Sequence, residues 1–237
     1  MADFPRYAIY YAPARGSELD RFGASLLGYD PWNGGDVAFP AEISAANPDW
    51  HELTSDARKY GFHATLKAPF GLREGRSEHE LISACATFAA APRSIPVIKP
   101  VVNVISGFIA VVPDQLSPSL QEFAADCVRA FEPFRAALTP EDRARRKPEK
   151  LTERQVVYLD QWGYPYVMDE FRFHMTLTER LDSERSARVL TLLRERFATV
   201  GLKVLPIDRI ALFRQNSAGS RFHIVESWPL ADISVAR

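Results

Sequence analysis

The chain has 237 residues, and its 29 Lys and Arg against 30 Asp and Glu leave a formal net charge of −1. Sequence-independent binding to long nucleic acids draws on many cation–phosphate contacts, so this balance argues against that role and leaves a small anionic substrate open. Hydrophobic residues make up 46% of the chain, enough for a sizeable core in one large domain or two small ones.

No hydrophobic run approaches the ~20 residues needed to span a bilayer. The start, Met1-Ala2-Asp3-Phe4-Pro5-Arg6, has no basic n-region and no apolar h-region after it. Cys85 and Cys127 each stand in an apolar, helix-like run, outside any Cys-x-x-Cys or Cys/His spacing. They read as two buried thiols in a reducing compartment, not as zinc ligands. The expectation is a cytoplasmic protein without a membrane partner; oligomeric state is not readable.

In chain order, residues 6–12 (RYAIYYA) are aromatic and β-branched and predict a strand that Pro13 ends. Ser17 predicts a helix cap, with Leu19, Phe22 and Leu26 on one face and Gly28 closing the helix. Residues 29–48 hold three prolines and a Gly-Gly pair, which predicts a long loop or irregular lid before a short helix over 50–59. Residues 62–67 (FHATLK) alternate hydrophobic and polar, a strand pattern. Ser77 and Glu80 have capping-box spacing ahead of a helix. Residues 95–104 and 108–112 predict two strands joined at Ser106-Gly107, and Ser117-Pro118 starts another helix.

The charge-dense run EDRARRKPEK (141–150) reads as a solvated surface turn in preference to a phosphate-binding patch. Thr152 and Gln155 form a second capping box, and Tyr164-Pro165-Tyr166 turns the chain into a second alternating strand, 173–178 (FHMTLT). A helix capped by Asp182 or Ser183 and strands over 203–207, 209–213 and 221–228 complete the chain. The order strand, helix, strand, strand thus occurs twice, at about 61–115 and 171–230.

Successive side chains on a strand point to opposite faces. His63, Thr65 and Lys67 therefore share one face of the first repeat, and His174, Thr176 and Thr178 one face of the second. One His-x-Thr means little. Two, each preceded by Phe and followed by Leu on matching units, point to a composite site. Splitting a phosphodiester needs one proton removed and another delivered, and imidazole can do either near neutral pH. Hydroxyls and nearby cations can stabilise the charge that gathers on the non-bridging oxygens. Lys67 is a candidate cation, Arg214 and Gln215 at a strand end are candidate substrate contacts, and Tyr10 is a candidate aromatic wall. The scheme requires no metal and no cofactor, and no dense carboxylate set is present to hold one.

The motifs His63-Ala64-Thr65-Leu66 and His174-Met175-Thr176-Leu177 resemble those of the two-histidine (2H) phosphoesterase superfamily, which includes RNA 2'-5' ligase-like proteins and cyclic phosphodiesterases. RYAIYYAP, YGFHATLKAPF and FRFHMTLTERL look like the branch found among bacterial phosphonate-utilisation genes. The resemblance implies one bilobal domain over 1–237, an α+β fold with two pseudo-symmetric β-sheet lobes, flanking helices and a central cleft. It implies metal-independent opening of a cyclic phosphodiester on a small ribose- or nucleotide-type molecule, in phosphonate metabolism. It makes His63 and His174 the acid/base pair, with His174 as base for ring opening, and gives the phosphate to Thr65 and Thr176. Glu179 stands where this branch leads one to expect glycine, at the rim of the cleft. The alternative is a protein that binds a nucleotide or RNA end in the same cleft without turnover; a metallohydrolase is disfavoured because the histidines lie on separate units.

Overall fold

In the computed structural model, which describes residues 4–233, helices begin where the polar caps stand. Ser17, Ser77, Ser117, Thr139, Thr152 and Asp182 each accept a hydrogen bond from a backbone N–H of the first turn, which would otherwise lack a partner. Both capping boxes, Ser77/Glu80 and Thr152/Gln155, are closed in both directions. Residues 1–3 of the N-terminal stretch lie outside the described residues.

The elements are β1 (Arg6–Tyr11), α1 (Glu18–Leu27), β2 (Tyr29–Asp30), β3 (Gly35–Asp36), α2 (Ala41–Ala46), α3 (Trp50–Leu53), α4 (Ser55–Arg58) and β4 (Ala64–Gly71). There follow α5 (Glu78–Ala90), β5 (Val97–Ile98), β6 (Pro100–Ile105), β7 (Phe108–Pro113), α6 (Pro118–Phe131), α7 (Pro140–Arg145) and α8 (Glu153–Trp162). Last come β8 (Met175–Arg180), α9 (Ser183–Ala198), β9 (Leu205–Pro206), β10 (Arg209–Gln215) and β11 (His223–Pro229). No helix among the described residues is long and apolar enough to cross a membrane.

The fold is α+β, built on one seven-stranded antiparallel sheet in the order β11-β10-β1-β4-β8-β7-β6. The two histidine strands, β4 and β8, are neighbours at its centre. They are joined through the single pair Ala64–Met175, so two smaller sheets meet edge to edge there. The hairpin that follows each histidine strand in sequence belongs to the other side. β6 and β7 extend the β8 side, and β10 and β11 extend the β4 side through β1. α5 packs on β10 and β11 and α9 on β6 and β7, so each crossing occurs after its helix. The crossing segments pair with each other as β5 and β9.

Strand alternation gives the sheet two faces. Tyr7, Ile9 and Tyr11 of β1 join the large core beneath the helices, whereas Ala8, Tyr10 and Ala12 join a smaller cluster with Phe213 and Phe222 on the other face. Burying one such side chain stabilises by about 1.5–3 kcal/mol. A one-residue slip of β1 would exchange Ile9 with Ala8 and invert the pattern, so the two buried sets fix the register.

Residues 29–48, expected as a long loop or irregular lid, do not line the recess on the histidine face, and the chain from there to 59 packs elsewhere. Trp50 Nε1 donates to Leu26 O at 2.8 Å and Arg58 Nε to Leu27 O at 2.7 Å, which fastens the segment to the C-terminal end of α1. α4 packs on β8, where Glu179 accepts hydrogen bonds from Ser55 Oγ at 2.6 Å and Asp56 N at 3.4 Å. Glu179, expected at the cleft rim, serves this anchorage. The polar face of the central strands is covered instead by α8 and the turns after it, up to residue 172.

Candidate active site

His63 and His174 each precede the first residue of a central strand, and the same local bond orients both. His63 Nδ1 lies 2.9 Å from the carbonyl of Gly61 and His174 Nδ1 lies 2.7 Å from that of Arg172, in each case two residues upstream. A carbonyl only accepts, so each Nδ1 carries the proton and donates. In the neutral ring that leaves Nε2 as the basic nitrogen. Gly61 reaches its position with φ of 76°, a left-handed backbone that favours glycine, and a Cβ there would stand 2.9 Å from Pro31.

The pair Ala64–Met175 sets how the motifs face each other. Continuing that antiparallel register by one residue puts Thr65 opposite His174 and His63 opposite Thr176. Paired Cα atoms stand about 5 Å apart and i to i+2 along a strand spans about 6.6 Å. The Cα diagonal from His63 to His174 is then about 8 Å, room for a phosphate between two imidazoles. A recess of about 380 Å³ opens on this face, with Thr65 and His174 on its floor and Phe108, Tyr164, Tyr166 and Arg172 among its walls.

The two rings sit in unlike surroundings. His63 stacks on the fully buried Tyr10 at a centroid distance of 3.8 Å, with Tyr60 at 5.9 Å and Phe213 at 6.0 Å. Its Nε2 is 3.3 Å from Thr65 Oγ1, so the threonine hydroxyl stands between this nitrogen and the recess. His174 has one aromatic neighbour, Phe108 at 5.5 Å, and its Nε2 meets no protein partner among the described residues. Burial pushes His63 down from 6.5 to about 4, and His174's charge adds to that, against the bond to Gly61. Burial also lowers His174, against the bond to Arg172. Both rings are therefore neutral at neutral pH, and His63 is the harder to charge.

The other expected residues divide. Tyr10 supports His63 from behind and, at 1% exposure, forms no open wall. Lys67 faces away from the cleft: it is 3% exposed and its Nζ donates to Glu132 Oε2 at 2.8 Å and Val128 O at 3.1 Å. A β-bulge is the cause. Tyr10 pairs with Thr65 but Ile9 pairs with Lys67, so one step on β1 spans two on β4 and Lys67 turns to the core side. β8 bulges likewise, since Ala110 pairs with Thr176 and Phe108 with Arg180. There Thr178 is buried and accepts from Ile109 N at 3.1 Å, filling a ladder position.

Arg214 pairs with Tyr7 on the core side, and Glu78 accepts from Arg214 Nη1 at 2.9 Å and from the Tyr7 hydroxyl at 2.7 Å. Gln215 is 1% exposed and its Nε2 donates to Ser220 O at 2.8 Å, holding the turn before β11. Neither reaches the recess. Sequence reading missed Tyr164, Tyr166, Phe108, Arg172 and Arg180, which line it. Two signals were present: Arg172 stands two residues before His174, and Arg180 ends the same strand. Neither has an ion pair among the described residues, and among those residues no three His, Cys, Asp or Glu converge to hold a metal ion.

Residues 65–223 match the family described as "Protein of unknown function (DUF1045)". Two curated relatives are each called ribose 1,5-bisphosphate phosphokinase PhnN. The one from Janthinobacterium sp. (strain Marseille) is 35% identical over 227 residues, 92% of this chain and 49% of the relative. The one from Laribacter hongkongensis (strain HLHK9) is 33% identical over 221 residues, 92% of this chain and 50% of the relative. The chain thus spans about half the length of these curated relatives. Among solved structures, E. coli LigT complexed with 3'-AMP aligns over 97% of this chain and 99% of its own, at 11% identity and a TM-score of 0.41. The match over residues 65–223 settles the family: the chain belongs to DUF1045.

Proposed function

We propose that the chain is a two-histidine phosphoesterase that opens a cyclic phosphodiester on a small ribose-type molecule without a metal. The observation that carries the reading is the pair of imidazoles on adjacent central strands, each fixed through Nδ1 and each two residues from a threonine on the same face. Water attacks phosphorus and gives its proton to His174 Nε2, which opens on the recess. The bond from phosphorus to the ribose oxygen breaks, and that oxygen takes a proton from His63 Nε2. The product is a ribose phosphomonoester, and solvent restores both rings. Because burial leaves His63 the harder ring to charge, this assignment requires the bound phosphate to hold its proton on His63 and leave His174 neutral. Thr65 and Thr176 donate to the non-bridging oxygens, which requires the Thr65 hydroxyl to leave His63.

The relatives' name concerns ribose 1,5-bisphosphate, a ribose phosphomonoester of the class this reaction yields, which supports a sugar phosphate of phosphonate metabolism as the substrate. The test is turnover of a panel of cyclic phosphates in EDTA by the native protein, His63→Ala and His174→Ala. General acid–base groups contribute about 10²–10⁴-fold. The reading expects turnover that survives chelation and falls by about that factor in each variant. Loss of turnover on chelation contradicts it, and tight binding without turnover on any substrate moves the assignment to a binding protein.

A further inference from the structure

Next to the catalytic recess lies a second hollow of about 230 Å³, on the other side of Ala68, which lines both. Arg6, Arg135, Arg145 and Arg146 line it against one carboxylate, Asp142. Two of these cations are committed. Glu132 accepts from Arg135 at 2.6 Å and Asp142 from Arg145 at 2.6 Å. Arg6 and Arg146 are not. Their side chains have no hydrogen bond and no ion pair among the described residues, and Arg146 lies over the Tyr164 ring at 5.1 Å. Both are partly buried, and Arg6 lies near enough to feel the charges of Arg146 and, in the opposite sense, Asp142. Asp142 is the one carboxylate lining the hollow and its ion pair is with Arg145, so an anion between the two partly desolvated guanidiniums offsets the positive charge that remains.

The hollow is aligned with the histidines. Arg6 and Tyr10 share a face of β1, four residues or about 13 Å apart along the strand, and Tyr10 pairs with Thr65. Tyr60 lines the hollow and also faces His63, and Gly163 lines the hollow while Tyr164 lines the catalytic recess. We propose that Arg6 and Arg146 form a second anion subsite for a terminal phosphomonoester. The substrate class is then a sugar carrying both a cyclic phosphodiester and a separate phosphomonoester. Naming that class rests on the phosphodiesterase reading; the subsite itself does not. The charged run at 141–150, expected as a solvated turn, supplies part of it.

The test is calorimetric titration with ribose 5-phosphate and with ribose, on the native protein and on Arg6→Ala, Arg146→Ala and His63→Ala/His174→Ala. The native protein is expected to favour ribose 5-phosphate at least about tenfold, a charge-assisted pair supplying that much. The double histidine variant is expected to keep this preference and each arginine variant to lose it. Arg146→Glu, just past the end of α7 and outside the sheet, is expected to abolish it without a change in thermal melting. No preference in the native protein overturns the proposal. So does a preference that survives in the arginine variants and disappears without the histidines, which puts the phosphate in the catalytic recess. Arginine-dependent binding with no turnover of any cyclic phosphate leaves the subsite standing and removes the catalytic reading. Turnover with arginine-independent binding does the reverse.

Discussion

The two histidine strands carry the same four-residue pattern in opposite settings. On the β4 side His63 is stacked on Tyr10, ringed by Tyr60 and Phe213, and capped by the Thr65 hydroxyl. On the β8 side His174 meets one tilted ring, Phe108, and its Nε2 opens on the recess. A matched pair of equivalent imidazoles would compete for the same role. Unequal burial separates their proton affinities and leaves His63 the harder to charge, so a bound phosphate has to reverse that order before His63 can act as the acid. In the proposed reaction the open ring meets water, and the enclosed ring is charged only when a phosphate arrives.

The largest effect should come from removing the support on one side only. Tyr10→Ala deletes a fully buried ring and should cost about 3–5 kcal/mol in denaturant unfolding, whereas Phe108→Ala, at a partly buried site, should cost less than half as much. Equal losses would show that the two settings differ less than their contacts suggest. Next come the hydroxyls. Removing a donor to a developing oxyanion costs about 10²-fold or more in kcat, so Thr65→Val and Thr176→Val should each approach that. Only Thr65→Val should also raise the pKa of His63, read by NMR titration, because it removes a donor to the neutral Nε2.

A smaller effect is the pH dependence of stability. His63 binds its proton more weakly folded, near 4, than unfolded, near 6.5. Its contribution is therefore complete above pH 6.5 and is lost as pH falls toward 4, and His174 acts in the same direction. Melting temperature should fall across that window, and His63→Asn should flatten the fall more than His174→Asn does. An unchanged slope in His63→Asn would place the titrating group elsewhere. Smallest is Glu179→Ala, which removes a half-buried anchor of α4 and should cost about 1 kcal/mol with kcat unchanged.

Local signals were legible and pairings were not. Caps at Ser77, Thr152 and Asp182 act through neighbours a few residues away, so the sequence shows them directly. The histidine strands were readable for the same reason, through alternation over six residues. Lys67 and Thr178 were misplaced because alternation assumes an unbroken ladder, and bulges after Thr65 and after Thr176 break it. Which hairpin joins which histidine strand depends on pairs far apart in the chain, such as Val111–Met175 and Arg6–Gln215, and no local pattern records that exchange. The cover over the recess is not the loop-rich segment 29–48, because the deciding contacts around it, Trp50 to α1 and Ser55 to Glu179, are tertiary. Arg6 did carry a signal: it shares a strand face with Tyr10, four residues away.

The central claim is that the two imidazoles act as one unit on a phosphodiester. The most direct measurement is kcat for one cyclic phosphate in EDTA across the native protein, His63→Ala, His174→Ala and the double variant. Groups that work as a unit are strongly non-additive. The account predicts that each single variant loses about 10²-fold or more and that the double variant is within about tenfold of the worse single. Losses that multiply in the double variant, or a single variant that keeps native turnover, would contradict it.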